Sequence, residues 1–304
     1  MKRKVDIIIP TYKPDDTFVQ LLIGLAKQSY PIQRILIMNT ERQFWNPDYE
    51  MAAANIKVIH LPKASFDHGG TRDRAARMSD ADIMVFMTQD AIPQNEKVIE
   101  ELVKFFEMPS IKAAYARQLP GKDCSIIERY TRSFNYPGES QIKEKTDLPK
   151  LGIKTYFCSN VCAAYDRRAY LELGGFVKHT IFNEDMIFAA QLIQLDYKVA
   201  YAANAMVVHS HNYGNMQQLR RNFDLAVSQA DHPEFFAGIK SEGEGLRLVK
   251  KTASYLIRIH KPWLLFSLVM KSGCKYIGYW LGKHYRILPR KLIYLLTMNR
   301  SYWE

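Results

Sequence analysis

Four short apolar segments recur through the first part of the chain: Val5–Pro10 (VDIIIP), Arg34–Met38 (RILIM), Ile56–His60 (IKVIH) and Ile83–Met87 (IMVFM). They are apolar on successive positions, not alternate ones. Such runs fit strands covered on both faces. The stretches between them carry helical spacing. Phe18, Leu21, Leu22 and Leu25 share a face behind Asp15, a capping residue. A second helix is expected from about Thr71 to Met78. Asn95 can cap a third, with Val98, Leu102, Val103 and Phe106 on one side. Strand alternating with helix implies a parallel α/β sheet with right-handed crossovers.

In such sheets ligands bind beyond the carboxyl ends of the strands. Three polar segments fall there: Thr11-Tyr12-Lys13, Asn39-Thr40-Glu41 and Thr88-Gln89-Asp90. Residues 118–155, with Pro120, Pro137, Gly138 and Pro149, read as a long loop region. Ser159–Tyr165 is apolar again, and Gly174-Gly175 precedes Phe176. Glu184-Asp185 opens a helix running to Leu195. Lys198–His211 reads as strand, turn, strand.

The 304 residues are 47% hydrophobic and 24% charged, which is a globular composition. The net charge of +11 is unevenly placed. Residues 246–304 hold 12 Lys/Arg and one acid, whereas residues 1–245 hold 30 of each sign. A near-neutral domain over 1–240 is expected from this division. A helical basic extension follows over 241–304. The longest apolar run in the tail, Trp263–Met270, is 8 residues, against the ~20 needed to span a bilayer. Basic amphipathic helices with Trp and Tyr suit a membrane interface. A helical subdomain packed on the core, with a solvated basic face, is the alternative. No nucleic-acid motif accompanies the charge. Cys124, Cys158, Cys162 and Cys274 suggest an intracellular protein with free thiols. Cys158 and Cys162 have no second pair nearby and read as buried small apolar residues.

Several residues could carry chemistry. Asp90, at the end of a buried strand, sits where a metal–diphosphate would lie; capping of a following helix is the competing reading. Gly69 and Gly70 allow close backbone approach to a ligand, with Arg72 directed toward an anion; a plain turn is the competing reading. Glu184 and Asp185 either favour the dipole of their helix or work as a pair, one orienting the acceptor and one removing its proton. His209 and His211 alternate on one strand, so they point the same way, as metal ligands, phosphate donors or core residues.

Taken in order, these segments resemble the family-2 glycosyltransferases with a GT-A fold. The matching pieces are VDIIIPTYKP, HGGTRDRAA, MTQDAIP, YDRRAYLELGGF, FNEDMIF and VVHSHNYG, across about residues 4–215. Order and spacing carry the resemblance. It implies an α/β fold with a mainly parallel, Rossmann-like sheet flanked by helices, and makes 1–240 a catalytic domain with a nucleotide-sugar half of about 1–115 and an acceptor half of about 116–240. It assigns donor binding to Pro10, Thr11, Tyr12, Asn39, Gly69, Gly70, Arg72 and Gln89. A divalent metal, Mg²⁺ or Mn²⁺, falls to Asp90, His209 and His211, and catalysis to Asp185 and Glu184. Phe66–Arg72, with Gly282-Lys283-His284-Tyr285 and Leu288-Pro289, resembles the rhamnosyltransferase branch. That branch implies dTDP-L-rhamnose as donor, a polysaccharide or lipid-linked glycan as acceptor, and a cytoplasmic enzyme peripheral on the bacterial membrane.

Two departures stand out. Asn39 replaces the usual acid at the second strand end. Gln89-Asp90-Ala91 keeps one acid of the Asp-x-Asp motif, so metal affinity is expected to be weak. Transfer of a hexose or N-acetylhexosamine from UDP is the alternative within the family. An inactive sugar-nucleotide-binding module is the alternative outside catalysis, and the intact Glu184-Asp185 argues against it. A nucleotidyltransferase would show a glycine-rich phosphate loop, which PTYKPDD is not.

Overall fold

The computed structural model describes residues 2–239 and 242–304. Its contacts divide the chain into two compact units. The first comprises Met1–Gly121, Tyr136–His179 and Glu184–Ser210; the second comprises Lys122–Asn135, Thr180–Asn183 and His211–Glu304. The first holds 24 Lys/Arg and 23 Asp/Glu, the second 18 and 8. The excess positive charge therefore belongs to the second unit.

The first unit opens with β1 (Val5–Tyr12), α1 (Asp16–Ala26), β2 (Arg34–Thr40), β3 (Ile56–Leu61), α2 (His68–Met78) and β4 (Ile83–Met87). It continues with β5 (Ile92–Pro93), α3 (Val98–Val103) and β6 (Ile111–Leu119). After α4 (Ile126–Asn135), a helix of the second unit, come β7 (Gln141–Lys143), α5 (Leu148–Leu151), β8 (Cys162–Asp166), α6 (Arg167–Glu172), α7 (Glu184–Gln194) and β9 (Lys198–Val208). Among the described residues, nine strands form one sheet in the order β3-β2-β1-β4-β8-β6-β9-β5, with β7 also paired to β9.

The first four strands are parallel, as their apolar character implies. β8 runs against both β4 and β6, and β9 is parallel to β6. The carboxyl ends of β1–β4, β6 and β9 therefore meet the start of β8 at one edge of the sheet. Ile7, Ile9, Phe18, Leu22, Ile37 and Val85 belong to a buried cluster on one side. Phe86, Tyr165, Tyr170, Phe176 and Phe188 form an aromatic cluster, with ring centroids 5.0–6.3 Å apart. Asp15 caps α1 by accepting the Thr17 N–H at 2.9 Å. Cys158 and Cys162 are buried, and burial pushes both thiols up to about 12.

Three local expectations change. α2 begins at His68, not near Thr71, because Asp67 caps it by accepting the Gly70 N–H; Gly69 and Gly70 lie within its first turn. Residues 118–155 are not one loop. They hold the end of β6, α4, β7 and α5, and an Arg132–Glu128 pair at 2.9 Å bridges one turn of α4. Lys198–Val208 is one strand. Its pairing to β6 jumps from Ala116↔Ala202 to Arg117↔Met206, so Ala203, Asn204 and Ala205 form an irregularity where a turn was expected.

The second unit adds α8 (Asn215–Asp231), α9 (Pro233–Phe236), α10 (Glu242–Arg258), α11 (Leu264–Lys283) and α12 (Arg290–Leu296) to α4. α11 lies very close to α8. A Cβ on Gly278 would overlap the Leu219 carbonyl oxygen, and one on Gly282 that of Phe223. Ile127, Leu256 and Leu268 knit α4, α10 and α11 together, and Tyr130 stacks on Tyr255 at 4.4 Å. Among the described residues, no helix is long and apolar enough to cross a membrane.

Candidate active site

The Glu184–Asp185 pair begins α7. The two carboxylates stand in different surroundings. Glu184 is buried, and its Oε1 lies 3.1 Å from Arg72 Nη1 and accepts the Asn160 Nδ2–H at 3.1 Å. Burial opposes ionisation of Glu184. The charges of Arg72 and His68 and the Asn160 bond outweigh it and hold the carboxyl below its ordinary range. Asp185 accepts the backbone N–H of Asn160 through Oδ2 and that of Met186 through Oδ1, both at 2.8 Å. Burial, then the adjacent Glu184 charge, pushes Asp185 up to about 7. Two neighbouring carboxylates driven apart in this way are suited to different roles. The one titrating near neutrality is poised to exchange protons.

Asp90 is followed by the short strand β5, so it caps no helix. The pairing Ile92↔Val208 brings the end of β9 alongside. His209 Nε2 lies 3.4 Å from Asp90 Oδ2. The other ring nitrogen, Nδ1, faces Gln118 Oε1 at 3.3 Å, and Gln118 Nε2 donates to Ser159 Oγ at 3.0 Å. An amide oxygen can only accept, so this contact selects the tautomer with the proton on Nδ1. When the ring is neutral, the lone pair of Nε2 and the carboxylate of Asp90 face each other. Two acceptors in that arrangement suit a shared cation, and their donor set of one oxygen and one nitrogen fits a divalent metal. His211 belongs to the second unit, where its ring packs on Tyr213 at 5.0 Å.

At the ends of β1 and β2, Thr11 Oγ1 donates to Asn39 Oδ1 at 3.1 Å. Asn39 Nδ2 meets the Glu41 carbonyl at 3.2 Å and His60 Nδ1 at 3.0 Å. Asn39 is wholly buried, and its amide joins three strand ends to one another. Pro10 lies just before them, half-buried on β1. Tyr12 is 40% exposed, with its ring edge-on to Phe44 at 5.7 Å and Lys13 and Lys63 above it at 5.4 and 5.8 Å. Gln89 clamps the Tyr12 backbone from both sides. Its Oε1 accepts the Tyr12 N–H at 2.8 Å and its Nε2 donates to the Tyr12 carbonyl at 3.2 Å. That clamp fixes the segment that carries Asp90.

The glycine pair answers to close packing within the protein. A Cβ on Gly69 would overlap the Val177 carbonyl oxygen, and one on Gly70 would crowd the Asp67 carboxylate. Arg72 faces Glu184, and Nη1 also donates to the His68 carbonyl at 3.0 Å. Its Nε is buried with no hydrogen-bond partner among the described residues, as are the hydroxyls of Thr40 and Thr88 at the ends of β2 and β4. Buried polar atoms in this position are where ligand oxygens are expected.

Sequence reasoning missed Asn160, Gln118 and Phe44. Asn160 bonds to both carboxylates and is itself held by Tyr165, whose hydroxyl donates to its Oδ1 at 2.9 Å. A polar residue inside the apolar stretch Ser159–Tyr165 was the available signal.

Comparison with known proteins agrees with this architecture. Residues 6–174 match glycosyl transferase family 2. The O-antigen chain rhamnosyltransferase RfbN of Salmonella typhimurium is 38% identical, covering 99% of this chain and 96% of the relative. The O-antigen chain rhamnosyltransferase WbaN of Salmonella anatum is 37% identical, covering 98% and 95%. Among solved structures, the mannosyltransferase PcManGT of Pyrobaculum calidifontis, in complex with GDP-Man and Mn²⁺, superimposes with a TM-score of 0.58 at 14% identity. It covers all of this chain and 83% of that one. Residues 1–349 of S. aureus TarS, in complex with UDP-GlcNAc, give 0.53 at 14% identity, covering 93% and 91%. The fold is the α/β fold of GT-A enzymes, and the chain belongs to glycosyl transferase family 2 and is a glycosyltransferase.

Proposed function

We propose that this glycosyltransferase moves L-rhamnose from dTDP-L-rhamnose to a growing surface glycan, with inversion at the anomeric carbon. The observation that carries the catalytic reading is the asymmetry of the carboxylate pair. Asn160 reaches both members, but the ion pair with Arg72 goes to Glu184. Glu184 stays ionised and orients the acceptor. Asp185 takes the proton from the acceptor hydroxyl as it attacks opposite the leaving diphosphate. The rhamnosyl choice is supported by the two O-antigen rhamnosyltransferases, similar over almost the whole length.

Asp90 and His209 hold a divalent cation, Mg²⁺ or Mn²⁺, and His211, two residues further on, is the third ligand expected from the sequence. Bound there, the cation neutralises charge on the leaving nucleotide diphosphate. Tyr12, Thr11 and Pro10 line the nucleoside side, supported by Asn39 and Gln89. Gly69 and Gly70 keep α2 close, and Arg72 Nε donates to the donor. The acceptor is a lipid-linked glycan at the cytoplasmic face of the membrane, and the basic second unit meets that surface.

Nucleotide release tests this reading, with dTDP-rhamnose, UDP-glucose and UDP-N-acetylglucosamine as donors, with Mn²⁺ or EDTA. Turnover confined to dTDP-rhamnose and lost in EDTA is expected. Turnover of a UDP-sugar instead would keep the glycosyltransferase and discard the rhamnosyl donor.

A further inference from the structure

The side of α11 turned away from α8 carries a continuous apolar stripe. Phe266, Val269, Tyr276, Ile277 and Trp280 are 50–76% exposed, and Met270 is 43% exposed. At about 100° per residue these positions fall within an arc of roughly 120°. Gly278 and Gly282, which seat the helix on α8, lie on the opposite side. Gly273 falls within the arc, and a Cβ there would meet nothing within 4 Å. No Asp, Glu, Lys or Arg occupies that arc. An uninterrupted apolar strip along a 20-residue helix is more than the scattered exposure ordinary for a soluble surface.

Charge decides the occupant. Residues 246–304, which include α11 and α12, carry 12 Lys/Arg and a single acid, Glu304. A second copy of this unit would bring like charge against like. A membrane rich in anionic lipid offers apolar depth under a negative surface. The stripe occupies one side only, and the helix is not apolar enough to cross a membrane. Tyr276 and Trp280 have the amphipathic rings that settle at the headgroup boundary.

We propose that α11 lies in the plane of an anionic membrane, with the Phe266–Trp280 stripe sunk into the lipid and Lys283, which borders that arc, against lipid phosphates. The surface rests on the reading of a membrane-bound acceptor only for its purpose; the geometry stands without it.

Co-sedimentation of the full chain with phosphatidylglycerol-rich vesicles tests it, against pure phosphatidylcholine. The wild type should bind the anionic vesicles. The double variant Phe266→Glu/Ile277→Glu should bind at least about tenfold more weakly, with an unchanged melting temperature and unchanged turnover of a soluble donor. Met51→Glu, at a methionine 83% exposed in the first unit, should leave binding unaltered. If the charged pair fails to fold, Phe266→Ser/Ile277→Ser replaces it, and brominated lipids should quench Trp263 and Trp280 in the wild type. Equal binding by wild type and stripe variant overturns the proposal. So does self-association that the stripe variant abolishes, without vesicle binding; that result assigns the stripe to a second copy. Vesicle binding needs no donor, so a failure of the rhamnosyl assignment leaves this result readable.

Discussion

Arg72 Nη1 stands 3.1 Å from Glu184 Oε1, with side chains only 7% and 8% exposed. The pair ties α2 to the first turn of α7. Removing one partner of a buried pair leaves the other charge without compensation, which costs about 3–5 kcal/mol. Arg72→Met is therefore expected to lower unfolding free energy by that amount. Adding Glu184→Gln should return much of it, because the stranded carboxylate is then gone. Denaturant unfolding of the two single variants and the double variant measures the coupling. A loss below about 1 kcal/mol in Arg72→Met, the size of an exposed pair, would show that the contact does not hold the two helices.

Asp185 must be a carboxylate to accept a proton, and its titration sits near 7. Turnover should therefore rise about tenfold per pH unit below neutrality and level off above it. Asp185→Asn should cost at least ~100-fold in kcat with donor affinity retained. Stability runs the other way. A folded-state value raised from 3.8 to about 7 means the protonated form is the favoured one in the fold. That contribution is fully present below pH 4 and is lost as the pH climbs through 7. The melting temperature of the wild type relative to Asp185→Asn should fall across that window. A flat difference, with a rate profile showing no rise near neutrality, excludes Asp185 as the base.

The pH behaviour could not have been read from the sequence, although the residue could. Asp185 and Glu184 stand out as adjacent acids opening a helix. Nothing local says which one is ionised. That depends on Arg72, 112 positions earlier in the chain, and on Asn160, whose position follows from the pairing Met87↔Cys162 at the start of β8. The four parallel strands were legible because each is apolar on both faces, which leaves few alternatives. α4 was not, since its apolar positions Ile126, Ile127 and Phe134 are interleaved with charge and flanked by prolines at 120 and 137. Asn204 falls where a turn was expected within Lys198–His211. The strand absorbs that residue as an exposed irregularity instead. Strand-end polar residues were visible, but their uses were not. Asn39 and Gln89 commit their amides to neighbouring strand ends, and only the lateral pairing of four strands shows it.

Gln118 offers a test of the cation reading that leaves both candidate ligands in place. It is 3% exposed, and its Oε1 holds His209 Nδ1 so that Nε2 faces Asp90. Loss of such a supporting contact typically weakens metal affinity 10–100-fold. Gln118→Leu should raise the Mn²⁺ concentration for half-maximal activity by about that factor. Turnover at saturating Mn²⁺ should stay close to wild type. Activity that ignores both EDTA and this substitution would remove the cation from Asp90 and His209.

Gly69 supplies a prediction about why α2 can sit where it does. The helix is capped by Asp67, and its first turn passes the Val177 carbonyl so closely that an added Cβ would overlap the oxygen. The obstacle is backbone, so no side chain can swing away. Gly69→Ala must push α2 outward, and overpacking of this kind costs about 1–3 kcal/mol. Arg72 rides on the same turn, so the displacement should also lengthen its contact with Glu184 and move the rate profile of Asp185. Ser79→Ala, at the far end of α2, removes the hydroxyl that donates to buried Asp6 at 2.7 Å. It should cost stability of similar size without moving the profile. A pH profile shifted in Gly69→Ala and unshifted in Ser79→Ala assigns the glycine to the geometry of the carboxylate pair. Equal profiles in both would reduce it to packing alone.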